Sequence, residues 1–186
     1  MAPSPTAILE AEHRVIEKVV AAAAVLADVM ETGGTVGPET LQEVVAFMHT
    51  YADKCHHGKE EAELFPFLER RGVPMRGCPV GALTGEHVQG RALVTALADA
   101  AAAHAAGDVA AREALLGSLR GIASLYPNHI WKEDYLLFPM SNKVLSQEDQ
   151  QELQARFQKV EETMGHGTHE HFEQVAAELE HWARGF

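Results

Sequence analysis

The sequence predicts an all-α protein, and three observations predict it. Apolar residues recur at steps of four and three over long segments, the period of one helix face. Gly- and Pro-rich breaks separate those segments. A stretch at residues 56–66 returns at residues 129–139 with the shared core His-x-x-Lys-Glu-[Glu/Asp]-x-x-Leu-Phe-Pro. A Glu-His pair precedes each copy, Glu12-His13 before the first and Glu86-His87 before the second. The chain therefore reads as two similar halves.

Each element has its own signal. Pro3 and Pro5 close a leader, and Thr6 is placed to cap a first helix. Its stripe is Leu9, His13, Ile16, Val20, Ala23 and Ala27, and Thr32-Gly33-Gly34-Thr35 ends it. Pro38 suits the first turn of a second helix running to about Arg71. Val45, Met48, Ala52, His56, Glu60, Leu64 and Phe67 form its inward stripe. A Gly/Pro-rich loop from Arg71 to Gly81 separates the halves. The third helix carries Leu83, His87, Gly90, Val94, Leu97 and Ala101 and stops near Gly107. Asp108 is placed to cap the fourth, whose stripe is Leu115, Leu119, Ile122, Tyr126, His129, Glu133, Leu136 and Met140. Pro127 lies inside that helix, where a proline kinks or breaks it. Ser146 to Asp149 is a capping-box start for a further segment. Its apolar residues are Leu153, Phe157, Val160 and Met164, then Phe172, Val175, Leu179 and Trp182 beyond a Gly165-His166-Gly167 break. The domains expected are a bundle over residues 1–145 and a helical extension over 146–186, packed on the bundle or at a dimer interface.

Residues i and i+4 lie about 40° apart on a helix, one turn up the same face. His56 with Glu60, and His129 with Glu133, thus each present an imidazole beside a carboxylate. With His13 and His87 the two halves supply four His and two carboxylates. That set suits two divalent metals bridged by the carboxylates, iron or manganese, with zinc also possible. An unpaired carboxylate among apolar residues is costly, and a metal removes the cost. His57 is also four before an acid, Glu61, so spacing alone does not choose between the pairs. The repeat favours His56, because Ile130 stands in the place of His57. His57, about 100° round the helix, is read as an added ligand or as a residue behind the ligands or between helices. Tyr126, one turn before His129, packs near the centre, where a buried phenol can donate to a bound oxygen species. Leu-Phe in each motif should close the bottom of the cavity. His166, His169 and His171 form a tract of a kind that can bind metal, but without the repeat's carboxylate spacing a solvated or interface role is expected.

On Glu12-His13, Glu86-His87 and the two motif runs, the chain resembles the hemerythrin family, in its bacterial form the HHE cation-binding domain. The resemblance spans residues 6 to about 145. It implies an up-down four-helix bundle, hemerythrin-like, around two non-haem Fe ions joined by an oxo or hydroxo bridge. The family's animal oxygen carriers use five His, two of them four apart on the third helix. Here Leu83 and Arg91 stand four residues either side of His87, which leaves His57 or Glu86 to fill that role. The family's second carboxylate is often an Asp five after the His, here Asp134. Glu133 matches the repeat and is preferred, with Asp134 and Glu61 kept as further candidates.

Composition narrows the function. At 186 residues the chain can bury a real core. Its net charge of −12 argues against nucleic acid and anionic membrane surfaces. Cys55 and Cys78 make no disulfide scaffold or zinc spacing, no signal peptide is visible, and Ala21 to Met30 is too short to span a bilayer. A cytoplasmic location is expected. The reading ranked first is a di-iron protein that binds or senses O2 or NO, as a monomer or homodimer. The alternative is a redox enzyme consuming peroxide or nitric oxide, served by an electron-transfer partner, or a protein of iron homeostasis.

Overall fold

The computed structural model describes residues 3–186; Met1 and Ala2 lie outside the described residues. Six helices follow one another, and there is no strand among the described residues. α1 is Pro5–Glu31. α2 is one rod over residues 38–70, α-helical in Pro38–Phe47, π-helical in Met48–His57 and Lys59–Leu64, and α-helical again in Phe65–Arg70. α3 is Val80–Ala105. α4 covers residues 111–144, as Ala111–Lys132, a π-helical Glu133–Leu137, and Phe138–Val144. α5 is Gln147–Met164 and α6 is Thr168–Ala183. No helix among the described residues is long and apolar enough to cross a membrane.

The helix ends follow local chemistry. Ser4, not Thr6, caps α1: its hydroxyl accepts from the Ala7 N–H at 3.2 Å. Pro5 then takes the first helical position, where its missing N–H costs nothing. Thr6 instead donates to Asn142 at 3.0 Å, tying the start of α1 to the end of α4. Asp108 accepts from Ala110 N–H at 2.9 Å in the turn before α4, so it stands ahead of the helix rather than at its cap. Ser146 and Asp149 form the capping box of α5. Gly165 and Gly167, with φ of +102° and +77°, make the left-handed break between α5 and α6.

Two apolar clusters show that the first four helices run alternately up and down. At one end Leu9 of α1 meets Leu64, Phe65 and Phe67 at the close of α2, Leu83 at the start of α3, and Leu137 and Phe138 late in α4. At the other end Leu26 and Met30, late in α1, meet Leu41, Leu97 and Leu119. The tail serves both clusters, Leu153 and Phe157 of α5 joining the first, and Phe172, Val175 and Leu179 of α6 the second. Between the clusters lies a polar layer of His13, His56, His57, Glu60, His87, His129 and Glu133, none more than 3% exposed.

The π-helical stretches change the register of the stripes. A π turn bonds i to i+5, so successive side chains are less far apart around the axis than in an α-helix. In α4 this moves the stripe from Glu133 to Leu137, which is fully buried, and leaves Leu136 42% exposed, against the expected seam. In α2 it turns His56 and His57 inward together, with ring centroids 5.7 Å apart.

Candidate metal centre

Five imidazoles converge on the polar layer, and each turns its Nδ1 outward to an acid. His13 Nδ1 donates to Asp134 at 2.6 Å, His56 to Glu12 at 2.9 Å, His87 to Glu61 at 2.6 Å and His129 to Glu86 at 3.1 Å. His57 Nδ1 faces Asp53 at 3.4 Å. A carboxylate on one imidazole nitrogen fixes the ring and its tautomer and makes the other nitrogen a better ligand. Glu61, Glu86 and Asp134 thus stand behind imidazoles, on the outer side of the layer. Their own positions are fixed in turn by cations: Arg91 holds Glu61 at 2.8 Å, Lys132 holds Glu86, and Arg14 holds Asp134.

The inward atoms form two groups. His57, His87 and His129 offer three imidazole nitrogens within one metal's reach, and His13, His56, Glu60 and Glu133 offer a second set. Glu133 spans the two: Oε2 lies 3.1 Å from His13 Nε2, and Oε1 lies 3.3 Å from His129 Nε2 and 3.6 Å from His87 Nε2. Glu60 spans them as well, its Oε2 being 3.4 Å from His87 Nε2 and 3.8 Å from His56 Nε2.

Seven of these buried atoms have no hydrogen-bond partner: Nε2 of His57, His87 and His129, and both oxygens of Glu60 and of Glu133. Buried polar groups are rarely left so, and unpaired buried carboxylates are especially costly. Cations between them would satisfy all seven, and the donor set of imidazole and carboxylate without thiolate suits iron or manganese. Apolar rings seal the layer. Phe138 of the second motif stacks on His13 at 5.4 Å, and Phe65 of the first on His87 at 6.1 Å, so each half closes the other's early histidine. The Tyr126 ring lies 6.2 Å from His57 and 6.0 Å from His129.

Without metal, protons take the cations' place. Burial opposes charge on His13, but Asp134 and Glu133 outweigh it and push its pKa up to about 10. Burial likewise opposes charge on His87, and Glu133, Glu60 and Glu61 raise its pKa to about 11. Burial would raise the Glu133 pKa, yet the imidazoles of His129, His13 and His87 hold it well below the usual carboxylate range. Burial, reinforced by the imidazoles of His87, His56 and His129, keeps His57 neutral. A metal binds only neutral imidazole. Metal loading near neutral pH is therefore expected to release roughly two protons per chain, from His13 and His87. Affinity should accordingly climb with pH through the region of the two histidines' raised pKa values, about 10 for His13 and about 11 for His87. A pH indicator in weakly buffered solution reads the release, and loading without any would contradict it.

Reading the sequence missed Glu12 and Asp53 as partners of imidazoles, and missed the purpose of the repeated lysine. Lys59 donates to Glu12 and Lys132 to Glu86, so in each half the lysine of the motif holds the glutamate of the Glu-His pair against the motif's first histidine. The signal was present, since both residues recur in both halves.

Comparison with known proteins gives one finding. A family model described as the Hemerythrin HHE cation binding domain matches residues 4–141. No curated protein and no solved structure matches the chain.

Proposed function

This chain belongs to the hemerythrin HHE cation-binding family, and from that premise we propose that it is a non-haem di-iron protein that binds or senses O2 or NO. The observation that carries the reading is the set of seven buried, unpartnered donor atoms with Glu60 and Glu133 reaching both groups of imidazoles. His57, His87 and His129 would hold one iron, and His13 and His56 the other, with both glutamates shared. The His13–His56 group offers one imidazole fewer than the other, so a metal held there would leave more room for a small ligand. Iron there supplies reversible electron transfer to a bound diatomic.

The protein's own residues limit what reaches the centre. A half-open cavity of about 490 Å3 lies between α2, α3 and α4, lined by Val45, Val94 and Ala98 and by the polar His49, Asp53, Arg91 and Thr95. Tyr126 stands between this cavity and the His57 and His129 rings, so the cavity borders the three-imidazole group and not the His13–His56 group. Cys55 and Cys78 are both free thiols, which suits a cytoplasmic location.

Metal analysis of protein purified without oxygen, with optical spectra before and after air, tests the proposal. Two irons per chain and a visible band that disappears when oxygen is removed are expected. Two irons that oxidise irreversibly would replace binding by redox turnover, and zinc or no metal would remove the di-iron reading.

A further inference from the structure

The two half-sites repeat in sequence but differ in what stands behind them. In the second half, Glu86 and Lys132 remain partly open, with side chains 20% and 29% exposed. In the first half, the equivalent Glu12 and Lys59 are sealed, at 2% and 0%. The seal comes from the tail, beyond the 4–141 span of the family match. Glu161 of α5 accepts from Lys59 Nζ at 2.5 Å. His169 of α6 places Nε2 3.4 Å from Glu12 Oε1, the oxygen that Lys59 also holds. The His169 ring rests on Tyr51, centroids 4.9 Å apart, and its Nδ1 faces Glu173 at 3.4 Å. The other oxygen of Glu12 accepts from His56 Nδ1.

Glu12, Glu161 and His169 lie close enough to hold an ion. The Lys59 ammonium already stands between the two carboxylates, so the group is a closed charge cluster rather than a third metal site.

We propose that Glu161 and His169 are positioning residues for one metal of the pair, holding Glu12 on His56 so that the tail helices complete the outer layer of the His13–His56 site alone. The inference rests on the two-metal reading above. Its physical basis is that a partner on the far nitrogen of a ligating imidazole sets that imidazole's orientation and basicity. Glu12 is held by His56 and Lys59 of α2 and, in addition, by what the tail presents to it and to Lys59; Glu86 takes its direction from α4 alone. Coupling of this kind is reciprocal. If tail docking favours metal at this site, metal at this site must favour tail docking.

The test is anaerobic titration of the metal-free whole chain with ferrous iron, comparing wild type with Glu161→Gln and His169→Gln, and with Glu86→Gln as the mirror variant. Loss of the direct partner of a ligating imidazole costs about 10- to 100-fold in affinity, so each tail variant, acting one step further out, should weaken one of the two binding steps by up to about 10-fold and leave the other unchanged. Glu86→Gln should weaken the opposite step. A loosened fold would lower both steps together, so selectivity separates positioning from general destabilisation. In wild type, iron should also slow cleavage at Gly165-His166-Gly167 by a protease, read without any reaction at the metals. Two unchanged steps in both tail variants, or iron-independent cleavage, would overturn the proposal and leave the two-metal reading in place. Failure of wild type to take up two irons would instead overturn that underlying reading.

Discussion

Glu133→Gln is expected to reduce the metal content from two per chain to at most one, with helix content unchanged. Glu133 faces His13 with one oxygen, at 3.1 Å, and His129 with the other, at 3.3 Å. Glutamine keeps the shape but offers one oxygen and one NH2 group, and the NH2 is a donor that no cation accepts. Whichever way the amide turns, one metal loses an oxygen ligand and both lose a negative charge. Outer partners alone are worth about 10- to 100-fold in affinity, so loss of a shared ligand should exceed about 100-fold. The substitution also disturbs the metal-free protein. His13 and His87 are charged there because Glu133 and its neighbours hold them so. Removing one partner of a buried ion pair costs about 3–5 kcal/mol when the other keeps its charge. Both histidines escape part of that cost by releasing protons, so their pKa values should fall toward the ordinary imidazole range. NMR titration reads the fall and elemental analysis the metal. Two metals retained at wild-type affinity would remove Glu133 from the centre.

The first four helices were legible because their apolar period and Gly/Pro breaks are local properties of the chain. The convergence of the two motifs was legible in outline for a related reason: His and Glu four apart, given twice, face one way on any helix. His13, His56, Glu60, His87, His129 and Glu133 do meet in one buried layer. What was not legible depends on relations between helices. Which acid stands behind which imidazole follows from the rotation of each helix against both its neighbours, α1 against α2 and α4 and α3 against α2 and α4, and no spacing rule within one helix supplies it. Glu61 shows this well. It lies four after His57, yet it bonds His87 of α3 at 2.6 Å and leaves His57 to Asp53. The π-helical stretches were hidden for another reason. They change backbone bonding from i+4 to i+5 without demanding any particular residue, so the sequence still carries an α-like period where the structure has left it.

His57→Leu should change the protein in opposite directions with and without metal. His57 has no counterpart in the second half, where Ile130 occupies its place. The structure nevertheless stacks its ring on His87, with centroids 3.9 Å apart, and leaves its Nε2 buried without a partner. Such an unpaired group costs about 1–3 kcal/mol. Leucine fills much of the same space and has no polar atom to satisfy. The metal-free variant should therefore be more stable by about 1–3 kcal/mol, or roughly 2–4 °C in Tm for each kcal/mol in a chain of this size. With metal the sign reverses. The site of His57, His87 and His129 falls from three imidazoles to two, and its affinity should drop by more than about 100-fold while the His13–His56 site keeps its metal. A histidine that only packed between helices would give a stability change in one direction and leave both metals bound. The crossing of the two effects, read by thermal unfolding of the metal-free and metal-loaded forms, is what a ligand produces: its uncompensated polarity is a burden to the empty fold and becomes useful only when a cation arrives.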